Sequence, residues 1–222
     1  MVDAPYPRLA SLALAEVIVN DPPRTAGRRA PITGQLSPAA VPALTLVEAA
    51  LREARLEREQ IEGLVVGLGP GSYNGIRAAI ALAQGWQLAR EVKLLGISSA
   101  EGLAAQAHAE GLRGRVTVLI DAQRSEFYLT SYELSDQGRR EIEPLRLATL
   151  AEAQARQTAG DLLLGPEVTK WFPNGHPLFP RAATLGQLAQ HRGDFVPGEQ
   201  LEPIYLRETT FVKAPPPRKL TD

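Results

Sequence analysis

Residues 65–86 read VVGLGPGSYNGIRAAIALAQGW, an apolar segment that runs into three closely spaced glycines, Gly69, Gly71 and Gly75, and then into an alanine-rich stretch. Ile76, Ala79, Ile80 and Ala83 recur at helical spacing, so the local order is strand, glycine loop, helix. Such a loop offers free backbone N–H groups and a partial positive charge to an anion; it serves equally as a tight turn that packs the helix on a sheet. Spacing removes two specific phosphate motifs. A Walker A loop requires Gly-x-x-x-x-Gly-Lys-Ser/Thr, whereas Asn74 stands five residues after Gly69, Ile76 five after Gly71, and no lysine follows. The dinucleotide fingerprint Gly-x-Gly-x-x-Gly fails because one residue too many precedes Gly75. What remains is a generic anion-contact set of Gly69, Gly71, Ser72, Gly75 and Arg77. Arg77 lies in the first helical turn, where the dipole disfavours a cation, and it pairs with an acid or ligand or points to solvent.

The same helix carries Ala78, Ala79, Ala81, Ala83, Gly85 and Ala89, small side chains that let a second helix approach closely, inside the fold or across a subunit interface. Upstream, SPAAVPALTLVEAALREARL (37–56) starts on a Ser37 cap with Pro38 in the first turn, bends near Pro42, and sets Leu44, Val47, Leu51 and Ala54 on one face. Before it, SLALAEVIV (11–19) reads as a strand and NDPPRTAGRR (20–29) as a loop. Downstream, residues 94–111 form a short strand, a Ser98/Glu101 capping-box spacing and a helix ending near Gly111. From Arg115 the character changes: RVTVLIDA and EFYLTSYEL, separated by QRS, predict a hairpin that opens a second lobe. The remainder predicts a helix over 147–158, a strand over 161–165, a Pro/Gly-rich loop over 165–180 and a helix over 182–192. PIYLRE and a disordered tail, APPPRKLTD, then close the chain.

At 222 residues and 44% hydrophobic, the chain buries one sizeable core or two small lobes sharing a hinge. Twenty-four Lys plus Arg against 25 Asp plus Glu create no global field for nucleic acid or anionic lipid, so any RNA contact is local or made through a partner. Without cysteine there is no disulfide framework, thiolate nucleophile or Cys-based metal site. No run approaches the roughly 18 apolar residues of a membrane span, and the first residues lack a signal-peptide pattern, so the expected location is the cytoplasm.

Chemistry-bearing side chains are scattered. His108, His176 and His191 make no motif. Asp121 and Glu126 read as cap and hairpin-rim residues rather than paired carboxylates. Trp171 and Phe172 read as a local hydrophobic plug rather than a base-stacking platform.

GLGPGSYNGIR (67–77) resembles the Gly-Pro-Gly-Ser-Phe-Thr-Gly-Val-Arg signature of the TsaB (YeaZ) family. GISSAEGLAAQA is similar to that family's Gly-Val-Ser-Thr and following helix, IDAQRSEFYLTSYEL to its Asp-Ala-Arg…Glu-Val-Tyr hairpin, and EPIYLRE to its closing Pro-x-Tyr-Leu-Arg. The correspondence runs from about residue 37 to 207. It implies an α/β fold of the actin, sugar-kinase and heat-shock-70 (ASKHA) superfamily, with two ribonuclease-H-like lobes over 1–113 and 114–210 and a tail over 211–222. It also implies a non-catalytic relative of TsaD that pairs with it through first-lobe helices. Together with a TsaE-like P-loop ATPase, the complex transfers threonylcarbamoyl to an adenosine beside the tRNA anticodon.

The family begins with a buried strand ending in Asp-Thr-Ser. Here Asp3 aligns with the aspartate, Ala4 and Pro5 replace the hydroxyls, and only Met1 and Val2 precede it, so the first strand is expected to be truncated. In the superfamily that turn contacts phosphates, so its loss favours a scaffold over an ATPase, with Asp3 joining the anion-contact set. TsaD holds a metal through a His-x-x-x-His pair, whereas no histidine precedes His108 here, so no zinc site is expected. The partner-binding set is Ile76, Ala79, Ile80, Ala83, Leu44 and Val47, which self-pairs as a homodimer in the absence of TsaD. tRNA contact occurs only through the complex, no membrane is involved, and there is no cofactor beyond a weak or shared ATP/ADP contact. The alternative is an ATP-dependent phosphotransferase of the same superfamily.

Overall fold

The computed structural model describes residues 9–12 and 43–207. Its first sheet is built on Gly63–Gly67 (β2), which is buried at all five positions as a strand covered on both faces must be. Leu9–Leu12 (β1) and Lys93–Ile97 (β3) flank it in parallel, with Leu9 opposite Gly63 and Gly63 opposite Lys93. Strand alternation divides the apolar residues between two cores. Leu64, Val66 and Leu94 meet Val47 and Leu51 of α1 (Ala43–Ala54) and Ile76, Ala79, Ile80 and Ala83 of α2 (Tyr73–Arg90). On the opposite side Val65, Leu95 and Ile97 meet Leu185 and Ala189 of a later helix.

The second sheet has the order β6-β5-β4-β7-β8. β4 (Gly114–Asp121), β5 (Glu126–Ser135) and β6 (Gly138–Thr149) form an antiparallel meander, and β7 (Leu162–Gly165) and β8 (His176–Pro177) add in parallel on the far side of β4. One face packs on Leu103, Ala104 and Ala107 of α3 (Ser99–Ala109). The other packs on Ala153 of α4 (Leu150–Thr158) and on Phe172. Phe172 is buried and plugs the loop, whereas Trp171, edge-on to Phe127 at 5.5 Å, stays exposed, so the plug is Phe172 rather than the aromatic pair.

The helices cross between the sheets. α3 follows the first sheet in sequence yet covers the second, while α5 (Ala182–Ala189) follows the second and covers the first. A Cβ at Gly102 of α3 would stand 3.0 Å from Leu185 of α5, a spacing that only glycine permits without adjustment. Packing therefore crosses residue 113, where the chain passes from α3 toward β4.

Several local readings need correction. β6 is a full strand that the sequence hides, because GRREIEPLRLAT lacks apolar alternation and contains Pro144. β6 lies at the sheet edge, and its register shifts between the Leu129 and Ser131 pairings, so Pro144 occupies a bulge where no ladder donor is needed. The helix expected from 147 starts at Leu150, where Thr149 and Glu152 form a reciprocal capping box. At Ser98 the expected box is only half made: its Oγ accepts from the Ala100 amide at 3.2 Å, while Glu101 turns to Arg192 at 3.2 Å. The first-sheet strand begins at Leu9 rather than Ser11. Residues 13–42 lie outside the described residues, as do Asp3, Ser37, Pro38, Pro42 and the tail over 208–222.

Candidate functional site

β2 delivers the chain into the glycine loop with its hydrogen bonds already assigned. The Leu68 amide donates to the Ile97 carbonyl at 2.9 Å, and the Gly69 carbonyl accepts from the Ser99 amide, at the start of α3, at 2.7 Å. Gly69 has φ +88°, and a Cβ there would lie 2.5 Å from Ile76 Cδ1. Ser72 caps α2, its Oγ accepting from the Gly75 amide at 3.4 Å and its carbonyl from the Ile76 amide at 3.0 Å. The residues chosen from the sequence, Gly69, Gly71, Ser72, Gly75 and Arg77, do fall in one turn. Its chemistry there is that of a strand-to-helix connection anchored to a neighbouring helix.

Arg77 is exposed at the helix surface and pairs with no acid among the described residues. Its guanidinium donates to the Tyr73 hydroxyl and lies 5.1 Å from that ring's centroid. The Tyr73 ring is in turn 5.4 Å from that of Tyr205. Partial burial, with the neighbouring Tyr73 as a smaller cause, pushes the Tyr205 phenol above its ordinary range.

The partner-binding set needs a correction of face. Val47, Ile76, Ala79, Ile80 and Ala83 are all buried within the chain's own core, and of the six chosen residues only Leu44, 51% exposed, reaches the surface. The branched apolar side chains of α2 satisfy the first sheet, because that sheet must be covered before anything else can be. The outward face of α2 carries Arg77, Ala78, Ala81, Gly85, Leu88 and Ala89. Leu88 is 89% exposed, and nothing stands within 4 Å of a Cβ built on Gly85, so another backbone can come close there. Between α1 and α2 lies a groove of ≈ 440 Å³ with Leu44, Leu82, Trp86 and Ala89 in its lining and Glu48, Arg58, Glu59 and Arg90 at its edge. A second cleft of ≈ 700 Å³ separates α2 from residues 202–205. The sequence signal that finds this outer face is the spacing 77, 81, 85, 88, offset from the apolar stripe.

Of the scattered titratable groups, His108 and His191 line one cleft of ≈ 580 Å³ with Glu101, Arg139 and Arg192, and the others lie elsewhere. The His108 ring nitrogen contacts the Ser135 carbonyl at 2.7 Å, and His176 stands 3.9 Å from Glu110. Among the described residues no group of three or more His, Cys, Asp or Glu is placed to hold a metal ion. Asp121 accepts from the Gln123 amide at 2.7 Å, and Glu126 is held by Arg207, so both serve the β4–β5 turn. That turn was not legible in advance: Gln123, Arg124 and Ser125 have φ of 66°, 58° and 59°, three successive non-glycine residues in the left-handed region. Each costs about 1 kcal/mol.

Three comparisons bear on this arrangement. The family model described as "TsaD: tRNA N6-adenosine threonylcarbamoyltransferase" matches residues 40–188, from α1 through nearly all of α5. The tRNA threonylcarbamoyladenosine biosynthesis protein TsaB of Escherichia coli K12 is 28% identical over 190 residues, which cover 78% of this chain and 82% of that one. The chain belongs to the TsaB (YeaZ) family. The Bacillus subtilis TsaB is also 28% identical, over 68% of this chain and 66% of its own length. Among solved structures, YeaZ from Pseudomonas aeruginosa superposes with a TM-score of 0.64 at 25% identity, over 78% of this chain and 87% of its own. A P. aeruginosa protein described as similar to peptidase YEAZ gives the same score at 27% identity over 74% and 82%. The TsaB/YeaZ likeness brings the ASKHA-like α/β fold with it, and the span of the TsaD family model takes in α1, the glycine loop, α2, α3 and nearly all of α5. No helix among the described residues is long and apolar enough to cross a membrane.

Proposed function

We propose that this chain takes part in forming threonylcarbamoyladenosine in tRNA as a non-catalytic scaffold, docking a TsaD-like subunit on the outer face of α1 and α2. The supporting names belong to its relatives, and the observation that carries the docking site is Leu88. A leucine 89% exposed, beside Ala81, Gly85 and Ala89 and the half-exposed Leu44, presents apolar area and close-approach positions on adjoining helices. The glycine loop gives that helix its start and direction. A TsaE-like ATPase joins through the complex, tRNA is met there too, and the setting is cytoplasmic. Alone, the same face pairs two copies of the chain.

The experiment is size-exclusion chromatography with light scattering on this protein alone and mixed with TsaD from its own organism. The expected result is a homodimer that exchanges into a stable heterocomplex, with both species lost in Gly85→Trp and Leu88→Glu. A monomer at high concentration that forms no complex with folded TsaD would overturn the reading.

A further inference from the structure

We propose that residues 204–207 form a strap that makes the glycine-loop end of α2 and the β4–β5 turn one mechanical unit, with Arg207 as its closing residue. The strap's first anchor is on the first sheet: the Ile204 amide donates to the Leu68 carbonyl at 2.9 Å, at the mouth of the glycine loop. Its second is Tyr205, whose ring lies 5.4 Å from that of Tyr73, the first residue of α2. Its third is on the second sheet, where the Arg207 guanidinium donates to the Ala122 carbonyl at 2.9 Å, the Gln123 carbonyl at 3.4 Å and Glu126 Oε2 at 2.5 Å.

Two features mark the third anchor as more than a surface ion pair. Exposed pairs contribute little by themselves, but here a single guanidinium nitrogen of Arg207, Nη2, stands within hydrogen-bond distance of two main-chain carbonyls and a carboxylate of one turn, so the charge-assisted contact reaches the turn's backbone as well as its side chain. The turn it holds is the one with three consecutive left-handed residues, a conformation that persists only where surrounding groups impose it. Four residues thus span from the N-terminus of α2 to a strained turn of the other sheet. A force on either end is carried to the other through the strap, because neither anchor can shift without breaking ladder-type or charge-assisted hydrogen bonds. This inference concerns the chain by itself and stands apart from the docking partner proposed above.

Amide-resolved hydrogen exchange on the full chain tests it with Arg207→Ala and Tyr205→Ala. In Arg207→Ala, the Ala122 and Glu126 amides should exchange about tenfold faster, the scale of one lost charge-assisted hydrogen bond, and the Ile204, Gly75 and Ile76 amides should accelerate with them. In Tyr205→Ala the same two groups should respond together. Acceleration confined to the turn in the first variant, or to α2 in the second, would overturn the strap. If Arg207→Ala does not fold, Arg207→Met keeps the aliphatic stem, removes the donors and is judged by the same criterion.

Discussion

The Gly69 carbonyl accepts the Ser99 amide at 2.7 Å, so the glycine loop ends one helix's approach and begins another's. One bond thereby orients α2 on the first sheet and α3 toward the second.

Gly69→Ala is accordingly expected to destabilise the protein by about 2–3 kcal/mol. About 1 kcal/mol comes from the left-handed backbone and the rest from overpacking against Ile76, since the new Cβ would stand 2.5 Å from its Cδ1. Urea unfolding of the variant measures it, and a midpoint equal to wild type would refute the account.

Gly165→Ala should be harsher. A Cβ there would meet the Leu119 carbonyl oxygen at 1.9 Å, and main chain of the neighbouring central strand cannot swing aside as Ile76 can. Failure to accumulate as soluble folded protein, or a loss of at least about 4 kcal/mol, is expected. Near-wild-type unfolding would show that β7 shifts freely against β4.

Asp161 and Thr117 form a buried polar pair, with Thr117 Oγ1 2.7 Å from both Asp161 Oδ2 and Ser131 Oγ. Thr117→Val removes a donor from a carboxylate that stays buried, so it should cost more than Asp161→Asn, which retains an acceptor. About 2–3 kcal/mol against about 1 kcal/mol is the expected order. Reversal of that order in thermal or urea unfolding would count against the pair.

Acid stability should depend on Glu152. The Thr149 amide, then the Thr149 hydroxyl, then Arg146 hold its carboxyl down at about 2, against an ordinary 4.5. A depressed carboxylate contributes stability that is complete above its unfolded value and is lost as pH falls from about 4.5 toward about 2. Because the group is exposed, the effect is modest and weakens with salt. Glu152→Gln should flatten the slope of the urea midpoint across that window, and an unchanged slope would show that other carboxylates carry it.

Magnesium and ATP should leave the melting temperature of the isolated chain unchanged. Arg77 is engaged by Tyr73, and Ser72 takes the Gly75 and Ile76 amides, so the loop offers nucleotide little. A concentration-dependent rise of several degrees would revive the phosphotransferase reading, since a ligand specific to the native state must raise apparent stability.

Much of this protein was determined locally. The apolar run of β2, the alanine-rich helix after the glycine loop and the β4–β5 hairpin follow from residue type and spacing, because each rests on contacts within a few residues. The same locality makes the glycine signature legible and with it the family. What the chain's order could not decide is which side of α2 faces outward: Ile76, Ala79, Ile80 and Ala83 look equally fit for a partner until the sheet they cover is in place. Nor could it disclose β6, whose charges and proline are tolerated only at an edge. The exchange of α3 and α5 between sheets was equally hidden, as was the reach of Arg207 across 81 positions to Glu126. These depend on pairings distant in sequence, where the deciding energy is burial and hydrogen bonding between elements, and that exists only once the elements have met.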